Sequence, residues 1–174
     1  GTDKDYLLLR AELQRDWNKN ISAASSTIQT ALNLYPDDID VLLMAASIMA
    51  SSGQKIGQKS LRDVLDTVLK KDPNNAFAQE LLISEYLNLE DWNSAYNLSF
   101  SLINKKNYST QILLQHIKSC IALKLSSEAR NTFILLKNYS VEKNILDLVE
   151  VQILIAEGRK AEALNLIQKA LSEY

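Results

Sequence analysis

Apolar residues return along this chain at intervals of three and four, in helix-length stretches divided by short polar links. "AEALNLIQKAL" (161–171) shows the spacing well, laying one apolar stripe along a helix. The stripes also repeat. Ala24, Leu61, Ala95, Ala129 and Ala163 step by 37, 34, 34 and 34 residues. Four residues further on stand Ile28, Leu65, Ser99, Phe133 and Ile167, and seven further on Ala31, Val68, Leu102, Leu136 and Ala170. Met49, Tyr86, Cys120 and Leu154 close a preceding apolar stretch in each of the last four units. The pattern predicts helix, short turn, helix, repeated along the chain.

The small residue has a mechanical reading. Antiparallel helices in a short hairpin approach closely only where a small side chain lies at the crossing; a bulky one would overpack by about 1–3 kcal/mol. The single longer step coincides with "SSGQKIGQKS" (51–60), which carries two glycines and extra residues between neighbouring helices. Pro36 and Pro73 each stand twelve residues past a crossing seat, as expected just beyond a helix end.

Composition narrows the class further. Apolar residues make up 47% and charged residues 23% of the 174, which suits a folded domain, and 4 Gly with 2 Pro leave little room for strand-and-turn architecture. A net charge of −2 speaks against a phosphate-binding surface. No apolar run approaches the length of a transmembrane helix. Gly1-Thr2 reads as a cloning remnant, so cytoplasm and periplasm both stay open as compartments, and the Lys/Asn/Ile-rich style suggests a bacterial source.

On these residues the chain resembles the tetratricopeptide repeat (TPR) family. "YLNLEDWNSA" (86–95) is similar to that family's aromatic, turn and small-residue run, "LIAEGRKAEAL" (154–164) matches it with Gly158 in the turn, and Ala129 and Phe133 reproduce its small-then-aromatic pair. The resemblance implies an all-α, right-handed α-α superhelix: one domain over residues 1–174, with repeats at about 5–38, 39–75, 76–109, 110–143 and 144–174. Departures fall at Leu61 in a small seat, and at Glu12, Arg15, Asp147 and Glu150 on seats normally apolar, so the outer first helices are expected to be rotated.

Little in the sequence suggests chemistry. His116 is the only histidine and reads as a packed helix residue without ligating companions; Cys120, the only cysteine, reads as a small core hydrophobe. No phosphate-cradling glycine loop occurs, and no catalytic set is expected around His116. The expectation is a non-enzyme without catalytic residues, metal or cofactor.

The family resemblance implies a concave face lined by first helices. Its seats fall on Leu9, Leu13 and Trp17, on Leu43 and Met44, on Phe77, Leu81 and Leu87, on Leu114 and Ile121, and on Leu148 and Ile155. Family members that grip acidic chaperone tails use Lys, Asn and Arg there, so leucines imply an apolar peptide or amphipathic helix instead. "QILLQHIKSCIALKL" (111–125) and "NILDLVEVQILIA" (144–156) are apolar on nearly all sides; either a partner or internal curvature covers the second stripe. The expected function is a scaffold or adaptor with a protein or peptide partner. The alternatives are a regulatory or assembly region of a larger enzyme or envelope component and, less in keeping with the charge, an RNA-binding helical repeat. "AEALNLIQKAL" has little sequence after it to cover its stripe, so a homo-oligomer or a longer chain is also expected.

Overall fold

The computed structural model describes residues 1–173; the expected end of the fifth repeat at Tyr174 lies outside them. The described residues form ten α-helices and no sheet. They run α1 (Lys4–Glu12), α2 (Ile21–Leu34), α3 (Ile39–Ser52), α4 (Leu61–Lys71), α5 (Ala76–Asn88), α6 (Trp92–Asn104), α7 (Thr110–Ala122), α8 (Ser126–Leu136), α9 (Lys143–Ala156) and α10 (Lys160–Glu173). A π-helical turn, Leu13–Trp17, extends α1. The chain divides into two compact units, Gly1–Leu82 and Ile83–Tyr174, with the division inside α5.

The first unit holds the hairpins α1/α2 and α3/α4. Asp3 accepts from the backbone N–H groups of Asp5 and Tyr6 to start α1, and Asn20 accepts from Ala23 N–H to start α2. Leu7 and Ala11 face inward against a core that includes Ala24, Ile28 and Ala31. The π turn widens the end of the first helix: Asn18 N–H donates to Leu13 O and Asn20 N–H to Gln14 O, adding a residue to the turn. The 51–60 insertion turns on itself through a single bridge, Ile56 to Lys59, with Ile56 buried. A β-carbon at Gly57, whose φ is +61°, would collide with the Gln29 side chain, so the loop lies against α2. Ser60 and Asp63 then form a reciprocal capping box at the head of α4.

The second unit holds the C-terminal half of α5, then α6, α7/α8 and α9/α10. One buried cluster joins Ile83, Leu87, Ala95, Leu102 and Ile112; another joins Leu113, Ile117, Cys120, Ala129, Phe133, Leu136, Val149 and Ile153. The crossing seats Ala24, Ala95, Ala129 and Ala163 are at most 2% exposed, whereas Leu61 is half-buried. Glu150 owes its apolar seat to Arg130, whose Nη1 donates to it at 3.2 Å while Nε and Nη2 clamp Glu157 at 2.9 and 2.8 Å. Arg159 adds a forked pair to Glu162 at 2.7 and 2.6 Å, tying the head of α10 into the network.

Candidate interaction surfaces and a buried polar centre

Within the first unit the expected groove seats fall on two depressions. In the first unit Leu9 and Leu13 face a depression of about 330 Å³ with Tyr6, Arg10, Gln14 and Asn18. Leu43, Met44 and Phe77 line a different one, about 470 Å³, with Leu8, Glu12, Arg15, Asp40 and Ser47. The reason is helical phase. Leu8, Glu12 and Arg15 share the face of α1 turned toward α3, while Leu9 and Leu13 look away from it. Glu12 and Arg15, polar at seats normally apolar, thus line the α1/α3 depression. Arg15 reaches across it, its Nη1 donating to Ser47 Oγ at 2.6 Å. Trp17, the last residue of the π turn, is 83% exposed. Leu81 is half-buried on α5.

In the second unit Leu87 belongs to the core, and its edge reaches a shallow depression with Leu114, Ser84, Gln111 and Lys118. Gln115 Nε2 donates to Ser84 Oγ there at 2.6 Å. Ile121 is half-buried against the larger core cluster. On α9, Leu148 and Ile155 are exposed while Val149, Ile153 and Leu154 are buried, so one stripe of this all-round apolar helix stays bare. The all-round apolar α7 differs: it packs on α6, α8 and α9, which bury most of it. Leu164, Ile167 and Leu171 form a further bare stripe along α10.

The polar centre of the second unit is the group the sequence reading missed. His116 is buried, and it has companions. Its Nδ1 lies 2.8 Å from Ser99 Oγ, and its Nε2 lies 3.5 Å from Cys120 Sγ and 3.4 Å from Glu128 Oε1. Tyr96 stacks on the ring at 5.2 Å, and its hydroxyl sits 3.0 and 2.9 Å from the two Glu128 oxygens. The signal was available: His116 and Cys120 are four apart on α7, hence on one face. Glu128, from the next helix, became visible only in the fold.

Proton positions follow from the partners. The Ser99 hydroxyl donates to the carbonyls of Ala95 and Tyr96, at 2.7 and 3.1 Å, as helical serines do. Ser99 Oγ must therefore accept from His116 Nδ1–H, which leaves Nε2 as the bare nitrogen. Burial lowers the imidazole pKa, against the opposing pull of Glu128. Burial also pushes the Cys120 thiol up to about 12 and, with help from Glu128, the Tyr96 phenol to about 12. The Ser99, His116, Glu128 order resembles a hydrolytic triad in outline only: Ser99 is fully buried, and its proton is committed to carbonyls rather than to the imidazole.

No protein-family model matches the sequence, and no curated protein matches it. Solved structures do match the fold. A tetratricopeptide repeat protein from Parabacteroides merdae superposes with a TM-score of 0.79 at 19% identity, covering 98% of this chain and 65% of that one. This chain therefore spans somewhat less than two thirds of that protein. MamA AMB-1 superposes with TM-scores of 0.74 and 0.71 in two crystal forms, at 17% identity, over 96–97% of this chain and 94–95% of that one. The described helices, their paired order and these superpositions give the protein the all-α helical-repeat solenoid fold of tetratricopeptide repeat proteins.

Proposed function

We propose that this chain is a protein-interaction scaffold whose first unit receives an apolar peptide or amphipathic helix against α3 and the start of α5. One observation carries the reading: Leu43, Met44 and Phe77 line a single depression with Leu8, together with Glu12, Arg15, Asp40 and Ser47. A lining that mixes apolar and charged side chains suits a helix that buries one stripe and keeps its polar face wet. Phe77 is 43% exposed, so its ring is available for burial by a partner. The repeat fold supports the same reading, since stacked hairpins present extended surfaces rather than enclosed pockets. No helix among the described residues is long and apolar enough to cross a membrane.

Selection from a displayed peptide library tests it. The chain should enrich peptides with apolar residues at helical spacing, and Met44→Glu with Phe77→Glu should weaken the selected peptides by at least about tenfold, or about 1.4 kcal/mol. Helicity by circular dichroism should persist. Selected peptides that bind both forms equally would refute this location.

A further inference from the structure

We propose that His116 Nε2, Cys120 Sγ and a Glu128 carboxylate oxygen form a site for one divalent transition ion, zinc in the first instance, clipping α7 to α8. The three donor atoms lie within 4.8 Å of one another. Two of the separations are 3.5 Å (nitrogen to sulfur) and 3.4 Å (nitrogen to oxygen). Tetrahedral zinc, with bonds of about 2.0–2.3 Å, sets such donor–donor edges at about 3.3–3.6 Å. Two of the three edges therefore match those an ion would set, and the sulfur-to-oxygen edge, no longer than 4.8 Å, closes as the ion is bound.

Three further observations agree. The hydrogen bond from Nδ1–H to Ser99 fixes the imidazole so that its bare nitrogen faces Cys120 and Glu128; such an outer hydrogen bond orients a metal-bound histidine. Without an ion, that lone pair faces a carboxylate oxygen at 3.4 Å, a contact that either a bound ion or a shared proton relieves. Charge balances too. A divalent ion with one thiolate, one carboxylate and one neutral imidazole is neutral overall, which suits a buried place. Binding displaces water from the hydrated ion, forms the Sγ–metal, Nε2–metal and Oε–metal bonds, leaves one water as the fourth ligand and releases the Cys120 proton to solvent. Tyr96 keeps its hydrogen bond to the second Glu128 oxygen. A cleft lined by Phe100, Ser127, Asn131 and Leu135 reaches His116 and Glu128, giving a hydrated ion its way in.

The test is a cobalt(II) titration of the reduced, chelator-stripped full chain. A sulfur-to-cobalt charge-transfer band and intense visible bands of a four-coordinate ion should saturate at one ion per chain, and zinc should abolish them by competition. Zinc should also raise the melting temperature. Cys120→Ala should lose the charge-transfer band. Glu128→Gln, conservative and on the most exposed donor, should weaken zinc binding, and Ser99→Ala should weaken it by about 10–100-fold while keeping the band. A chain of native helicity that shows no such band, or a Cys120→Ala variant that binds zinc as tightly as the parent, would overturn the proposal and leave a hydrogen-bonded core.

Discussion

The two units end the first helices of their hairpins differently. In the second unit Glu90, Lys124 and Gly158 all take left-handed φ values of 57°, 61° and 79°, at steps of 34 residues. Each begins the same cap. The next backbone N–H, on Asp91, Leu125 or Arg159, donates back to the carbonyl of Tyr86, Cys120 or Leu154 at 2.8–2.9 Å. In the first unit a π turn and Lys19 end one first helix, and Gly53 with the 51–60 loop ends the other. The strict 34-residue step thus appears where one turn geometry recurs, and the long step where a loop replaces it. A repeat's period belongs to its turns as much as to its crossings.

The second unit also concentrates its charges around Arg130. Arg130→Met, which removes the guanidinium from the Phe133 ring and from Glu150 and Glu157, should cost about 1.5 kcal/mol in urea unfolding. Breaking the exposed Arg62–Asp66 pair of the first unit should cost well under 1 kcal/mol. The pH dependence sharpens the contrast. Hydrogen bonds from Arg130 hold the Glu157 carboxyl below its ordinary 4.5. This stabilisation is present above the ordinary glutamate range and is lost as pH falls through the lowered folded value. The acid limb of the stability curve should flatten in Arg130→Met.

The shared cap gives smaller effects. Lys124→Gly removes a side chain from a left-handed position and should stabilise the chain by about 0.5–1 kcal/mol. Gly158→Ala should lose about 1 kcal/mol although nothing crowds the added carbon, because the conformation alone opposes it. Thermal melts of the two variants should move in opposite directions. Equal responses would dissolve the likeness between the two turns.

Much of this fold was legible because the crossing seats demand small residues: Ala24, Ala95, Ala129 and Ala163 stand out by type as well as spacing, and all four are buried. The insertion was legible from its glycines. The π turn was not, since "LQRDW" reads as ordinary helix and its extra residue shows only in the hydrogen bonds. The left-handed Glu90 and Lys124 lacked the glycine that marks Gly158, although their 34-residue offset from it could have located them. The interaction surface was less legible than the fold. Seat-by-seat transfer placed Leu9 and Leu13 with Met44 and Phe77, while the phase of α1 gives them separate depressions. His116 looked solitary because Glu128 comes from another helix.

Amide hydrogen exchange resolved residue by residue tests the common register most directly. Asp91, Leu125 and Arg159 sit in turns where backbone amides ordinarily exchange fast, yet the recurring cap gives each a carbonyl partner. The account predicts slow exchange at all three, at the same 34-residue interval. Exchange at the rate of an open loop at these positions would contradict it.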